Sequence, residues 1–593
     1  MRTRYLILLR KGPAPSPRDL ASKLGLTVAV DRPDLLVLIG GDCRCYALGE
    51  GHVLGRLFAR FGPPAPIQAA QIAIGTTDGA TSAEDRLLQR YWGGYVGLFP
   101  ARASHRILRD PSGALPCYYA ETGLGLVLAS DVDLLLAVRK TPPAVSWTAL
   151  VKHLHLRGLP SPETCLHGIE ELLSGYALDV SAGTVDQRMW WSPWSHVEAD
   201  PEAGAPQPDQ LRRVVTSSVE ALTASYGRLL VSVSGGLDSS IVAACLARSG
   251  REVHCVTMFT TDPSGDERLY ARDLCRHLAL PLTECVYRID EVDIDLAMSP
   301  HLPRPIGRTL AQAYERAHLK VVAEIKADAF VTGNGGDNVF GFSQSAAAVT
   351  DYYLRQGLGL GLLRTLRDVC RQTESGPVEV VRAALRLKRR GYLWPAGPMF
   401  LGAEMLVALA PQPLHQPWLD VPGGVGPGKA AHVASLLRVQ PSLEPGRSRF
   451  APVLAPLLSQ PVIETCLAIP SWEWRTGGRD RAVARAAFVA DLPPAIIGRR
   501  SKGGPDGFSA IILREHRAAI RERLLDGMLA REGVVDRAAL EARFADRRPF
   551  SGEEQGRLLE LVDSEAWAGT WSSRGSAVIR PGQSASASAS SST

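Results

Sequence analysis

The segment from Leu229 to Arg248 sets the tightest limit on what this chain can fold into. An apolar run, Leu229–Val233, leads through Ser234-Gly235-Gly236-Leu237-Asp238-Ser239-Ser240 into helical spacing over Ser239–Arg248, with Gly250 placed to end the helix. The alternation then continues. Val253–Phe259 reads as the next strand, Ser264-Gly265-Asp266-Glu267 as a capping box opening a helix through about Leu278, and Thr283–Tyr287 as a third strand. A helix over Thr309–Ile325 and a fourth strand at Ala329–Val331 follow. Strands alternating with helices at this spacing predict a parallel sheet with helices on its faces. This part of the chain is expected to be α/β.

The loop after the first strand also carries chemistry. Its two glycines let backbone N–H groups approach an anion closely, and the helix that follows adds the positive end of its dipole. Serines at both ends offer hydroxyls to phosphate oxygens. Asp238 would repel a phosphate unless a cation lay between them, so Mg²⁺ is implied. No lysine stands in the Walker position, which excludes a kinase-type phosphate loop.

Residues 1–195 have another texture. Short β-like runs at Arg4–Leu9, Leu35–Ile39, Tyr95–Phe99 and Leu124–Ala129 are separated by turns at Gly40-Gly41, Gly93-Gly94 and Asp110-Pro111-Ser112-Gly113. Residues 196–210, centred on the Pro/Ala/acidic stretch from Glu198 to Gln210, read as a linker. The second domain is expected over 211–573, mostly helical after about residue 345 and broken by a Pro/Gly-rich stretch from Trp394 to Gly428. The Ser/Ala tail, 574–593, is expected to be disordered.

Composition removes several functional classes. With 45% hydrophobic and 21% charged residues, the 593-residue chain has ample material for two or three cores. Its net charge of +5 is spread thinly, which argues against a nucleic-acid binder. No apolar run is long enough to span a membrane, and the apolar stretch at Tyr5–Leu9 is too short for a signal peptide, so a cytoplasmic protein is expected. The ten cysteines include no CxxC pair, which suggests neither a zinc site nor a disulfide framework.

The heptapeptide Ser234–Ser240 resembles the pyrophosphate-binding loop of the ATP pyrophosphatases, which adenylate a substrate and release pyrophosphate. Thr332-Gly333-Asn334-Gly335-Gly336-Asp337-Asn338-Val339-Phe340-Gly341 resembles a segment of asparagine synthetases, and Arg499-Arg500-Ser501-Lys502-Gly503-Gly504 a segment near the end of the synthetase domain in asparagine and β-lactam synthetases. The Gly478-Arg479-Asp480-Arg481, Leu492-Pro493-Pro494 and Pro456–Pro461 segments fit as well, so the likeness covers roughly residues 205–515. It implies ATP and Mg²⁺ as cofactors. Asp238 and Asp337 would hold the metal, and Val233, Ser234, Gly235, Gly236, Asp238, Ser239, Ser240, Met258, Thr332 and Gly333 would hold the nucleotide. Lys502 would act at the acyl centre beside the two aspartates, stabilising negative charge on the reacting carbonyl.

The N-terminal half resembles the family's N-terminal-nucleophile glutaminase domain, an α+β sandwich, in a decayed form. A working glutaminase of this type needs Cys directly after the initiator Met, and here the residue is Arg2. β-Lactam synthetases also lack that cysteine but carry Tyr where this chain has Asn334, which cannot serve as a base. The wording around Asp337 and Lys502 looks most like lasso peptide cyclases. That likeness implies adenylation of an Asp or Glu side chain of a precursor peptide and closure of a macrolactam ring by its N-terminal amine. The peptide is expected in a large cleft between the domains, beneath the stretch 394–428. The expected partners are the precursor core peptide, a leader peptidase and a leader-recognition protein, with no nucleic acid and no membrane. The competing readings are a small-molecule amide or β-lactam synthetase, an ammonia-dependent asparagine synthetase-like enzyme, and a pseudo-enzyme that only docks a peptide. The presence together of Asp238, Asp337 and Lys502 argues against the last.

Overall fold

The computed structural model describes residues 2–12, 16–68, 72, 82–101, 104–139, 141–181, 184–197, 207–260, 265–307, 309–411, 416–500 and 506–578. The first domain runs β1 (Arg4–Arg10), α1 (Pro17–Leu24), β2 (Thr27–Asp31), β3 (Leu35–Gly40), β4 (Arg44–Leu48), β5 (Gly51–Ala59), α2 (Ala83–Arg90), β6 (Tyr91–Ala101) and β7 (Ser104–Arg109). It continues with β8 (Tyr118–Thr122), β9 (Gly125–Ala129), α3 (Val132–Val138), α4 (Trp147–His155), β10 (Glu170–Glu171), β11 (Tyr176–Ser181) and β12 (Thr184–Met189). The strands form two six-stranded sheets, ordered β10-β8-β9-β1-β3-β2 and β12-β11-β7-β6-β5-β4. All their described pairings are antiparallel, as in β1 against β3 and β9.

Period-two alternation explains the layering. Tyr5, Ile7 and Leu9 of β1 point into the sandwich with Leu54, Val96 and Ile107 of the other sheet. Leu6 and Leu8 point outward onto Leu20 of α1, Leu134 of α3 and Leu150 of α4. On the far side Val53, Tyr95 and Phe99 pack with Leu87 of α2. Gly93-Gly94, which reads as a turn in the sequence, lies inside β6. Gly93 has φ +139°, and a β-carbon there would overlap the Arg56 carbonyl of the neighbouring strand, so the pair marks a close strand approach.

The second domain opens with α5 (Pro208–Thr223), β13 (Arg228–Ser232), α6 (Leu237–Ala247), β14 (Glu252–Phe259), α7 (Arg268–Leu278) and β15 (Leu282–Val286). α8 (Ala311–Ile325), β16 (Ala329–Val331), α9 (Gly336–Val339) and β17 (Val453–Leu454) complete its sheet unit. The five strands are all parallel, in the order β15-β14-β13-β16-β17. Leu229, Val231 and Cys255 face α5, α6 and α7, whereas Leu230, Val256 and Phe330 face Val321 of α8. The chain order turns back between β13 and β16, so the loops after these two strands project side by side from one sheet edge.

Two boundaries differ from the composition reading. α5 starts at Pro208, inside the stretch assigned to the linker, because proline pre-sets the backbone angle of a first helical turn. The last helix, Gly552–Val578, runs past residue 574, where the tail was expected to begin. α7 ends at Leu278 as expected, but it begins at Arg268 with Glu267 in the cap position and no side-chain cap bond. Ser264 of the expected capping box lies outside the described residues.

The Pro/Gly-rich stretch is a strap between domains. Gly397 N–H donates to His155 O (2.7 Å), Trp394 Nε1 to Leu156 O (2.8 Å) and Gln416 Nε2 to Pro160 O (2.9 Å). The C-terminal helices reinforce this join, since Leu513, Leu558 and Trp567 share one core with Leu134 and Leu154 of the first domain.

Candidate active site

Each glycine-rich loop leaves its strand and enters a helix at the shared edge. In the first, Gly235 has φ +64°, and a β-carbon on it would overlap Tyr270 of α7. The serines brace the loop. Ser234 Oγ accepts from Gly236 N–H (3.3 Å), Ser239 Oγ accepts from Ser234 N–H (3.3 Å), and Ser240 Oγ donates to Gly236 O (2.7 Å). Ser240 is fully buried and does not line the cavity described below, nor does Gly235, so those two support the loop instead of facing a ligand. Val233, Ser234, Gly236, Asp238, Ser239, Met258, Thr332 and Gly333 all line it.

The second loop presses against the first. A β-carbon on Gly336 would overlap the Asp238 side chain, and one on Gly333 would overlap the backbone of Ser239. That close approach brings Asp238, in the first turn of α6, beside Asp337, in α9. The two carboxylates converge on one nitrogen: Arg481 Nη1 donates to both Asp238 oxygens (3.1 and 3.0 Å) and also to Asp337. Burial works against the charge of Arg481, but Asp238, Asp337 and Asp480 outweigh it and raise its pKa above the ordinary value. A cation-sized point between two carboxylates fits Mg²⁺, which takes one or two protein carboxylates and leaves its other positions to phosphates and water. Among the described residues no cluster of three or more metal-ligating side chains exists.

Arg499 fixes the third segment. Its guanidinium donates to Glu267 and to Ser234 O (3.3 Å) and stacks on Tyr270 at 4.0 Å. Arg499 and Arg500 line the cavity, whereas Lys502 lies outside the described residues.

These parts open into one cavity of about 1150 Å³ lined by both domains. Arg2, Thr3, Asp42 and Arg56 of the first domain face it together with Asp238, Asp337 and Asn334 of the second. Arg2 Nη2 donates to Glu444 (3.3 Å), which also accepts from Tyr118 OH (2.8 Å). Asn334 Nδ2 donates to Ser442 Oγ (2.7 Å). The cavity lies between the domains as expected. No described residue of 394–428 lines it, so the expectation of a cleft beneath that stretch is corrected: the strap binds the outer join, and residues 442–459 and 478–500 form the wall instead.

The sequence reading named the segment Gly478–Arg481 without giving Arg481 a role, and it missed a polar group on α8. Tyr314 OH donates to Ser232 Oγ (2.8 Å), which is 2.7 Å from His318 Nε2, and all three line the cavity. The Tyr314/His318 spacing on one helix face was the available signal. Burial first, then Arg447, pushes His318 down to about 3, so it is neutral and a weak base. The thiols nearest the N-terminus are inert as well. Burial pushes Cys43 up to about 12 and Cys45 up to about 11, far from a thiolate at neutral pH.

Residues 210–380 and 452–569 match the asparagine synthase family model, and residues 86–191 match the glutamine amidotransferase domain model. No curated protein matches the chain. Among solved structures the chain is similar to an allosteric regulatory enzyme of purine biosynthesis, at 10% identity over 48% of this chain and 80% of that one, with a TM-score of 0.20. It is also similar to glutamine phosphoribosylpyrophosphate amidotransferase from B. subtilis complexed with ADP and GMP, at 11% identity over 56% and 90%, again with a TM-score of 0.20. Scores this low carry no argument, and the fold rests on the sheets themselves. An N-terminal-nucleophile glutaminase-like domain precedes a parallel-sheet synthetase domain. The two matches, in this order along the chain, support the asparagine synthetase family and an ATP-dependent carbon–nitrogen ligase.

Proposed function

We propose that this ligase is a lasso peptide cyclase. A carboxylate of the core peptide attacks the α-phosphorus of ATP and pyrophosphate leaves. The peptide's own N-terminal amine then displaces AMP from the acyl carbon, losing a proton as the macrolactam forms. One observation carries the reading: Arg2, which stands where the glutaminase type needs Cys, lines the same cavity as Asp238 and Asp337. On this reading a tethered amine takes the place of ammonia from glutamine. The cavity also exceeds the roughly 300–1000 Å³ usual for small ligands. Asn334, bonded to Ser442, offers no base for a small-ring closure.

Asp238 and Asp337 would hold Mg²⁺, which when bound neutralises charge on the departing pyrophosphate. The backbone N–H groups around Gly236 and the N-terminus of α6 would hold the polyphosphate, and Arg499 would keep that loop against α7. Lys502 would stabilise charge on the acyl oxygen. A tethered amine gains a high effective molarity, and a walled cavity shields the activated acyl group from water. Leader peptidase and leader-recognition proteins are the proposed partners, and the cytoplasm is the proposed location.

Product analysis tests the chemistry. Incubation with Mg²⁺, ATP and core peptide is expected to release AMP and pyrophosphate in step with peptide consumed. Stoichiometric ADP and phosphate would overturn the adenylation step.

A further inference from the structure

One guanidinium holds three carboxylates together at the centre of the site. Nη1 of Arg481 sits between Asp238 and Asp337, while Nε and Nη2 bond Asp480 at 2.9 and 2.8 Å. The side chain is 9% exposed. It is delivered by an unusual piece of backbone: Gly477, Gly478 and Arg481 all have positive φ, at 75°, 71° and 52°. For a residue with a β-carbon that conformation is unfavourable, so the fold holds Arg481 there against a local cost.

The two ends of this guanidinium are anchored differently. Asp480 is itself fixed by Arg485, whose Nη2 donates to it at 2.7 Å and to Arg499 O at 2.9 Å, and whose Nη1 donates to Ile497 O at 2.7 Å. Asp337, by contrast, stands at the open side, with its side chain 34% exposed against 11% for Asp238. Because the guanidinium is one rigid plane, Nη1 leaves the aspartate pair only by a swing of the whole group about its contact with Asp480. A divalent cation cannot join Asp238 and Asp337 with Nη1 in place, because both positive groups need the same point and the same oxygens.

We infer that Arg481 is a place-holder for the divalent cation: its Nη1 neutralises the aspartate pair in the unloaded site, and metal enters only as Nη1 withdraws. Nη1 sets a positive charge between two carboxylates that lie close together. With it, the site is assembled and closed to free metal. A polyphosphate arriving with the cation offers the withdrawn guanidinium a new counter-charge, so metal and nucleotide bind with positive coupling, each tightening the other by the same factor. The inference rests on the ATP reading only for the identity of that polyanion.

Manganese, followed by electron paramagnetic resonance, is the probe. In the whole chain Mn²⁺ alone is expected to bind weakly, and a non-hydrolysable ATP analogue at saturation is expected to tighten it by about tenfold or more. Arg481→Met, which keeps bulk and removes charge, is expected to bind Mn²⁺ alone about tenfold tighter than the unaltered chain. Adding Asp337→Asn to that variant should remove the gain, assigning it to this site. Equal Mn²⁺ affinity with and without Arg481 in folded protein would overturn the inference. So would an unaltered chain that binds the analogue with no change in Mn²⁺ affinity, a measurement that decides the matter even if the variant does not fold. If the analogue fails to bind the unaltered chain with metal present, the ATP reading falls, and the nucleotide-free comparison still judges the place-holder.

Discussion

Gly336 and Asp238 occupy adjacent space, and that contact aligns the two loops. Gly336→Ala would push a methyl group into the Asp238 side chain. The expected result is a loss of about 1–3 kcal/mol of stability, measured by urea unfolding, together with a fall in peptide-dependent ATP–pyrophosphate exchange. Wild-type exchange would show that the loops need not touch. Lys502→Ala is expected to slow turnover by about 10²–10³-fold while leaving Mn²⁺ binding intact, as for a charge that acts on the acyl group. Asp337 and Lys502 came from the family resemblance, the latter lying outside the described residues, and Asp238 was legible as a residue type, because a phosphate loop containing a carboxylate implies a cation. Arg481 was not, because its role depends on a left-handed turn that carries it across to residues far away in sequence.

Among elements, the four strands and intervening helices of the parallel sheet were legible because their apolar runs and helix spacing are continuous. β17 was not. Two residues, Val453 and Leu454, have no periodicity to read, and they become a strand only because β16 presents an open edge. The strap was visible as composition and misplaced in space, since proline and glycine mark irregular chain without saying what it crosses. Gln416, which is 2% exposed, accepts from Tyr176 OH (3.2 Å) and donates to Pro160 O. Gln416→Ala is expected to cost about 1–3 kcal/mol, read as a lower denaturant midpoint with Mn²⁺ affinity unchanged. The helix Pro427–Val439 carries a buried lysine. Burial pushes Lys429 from 10.5 down to about 7, partly opposed by Asp351. Between those values the unfolded chain holds a proton that the folded chain lacks, so this group makes stability rise with pH from about 7 towards 10.5. Lys429→Met should flatten that rise. An unchanged pH profile would mean that the ammonium stays charged inside the fold.

At the scale of the whole molecule, two domains share cores and enclose one cavity, and the first domain lacks the cysteine that its type uses. No glutamine hydrolysis is expected, and glutamate released from glutamine without peptide would contradict that reading. The central claim is that the amine and the activated carboxyl group belong to one peptide. Leader-free core peptide incubated with the whole chain, ATP and Mg²⁺ should lose one water by mass spectrometry, with fragmentation locating the new amide between the N-terminal amine and an Asp or Glu side chain. ATP consumed in response to peptide, with added ammonia or a free amine incorporated and no dehydrated peptide formed, would contradict it.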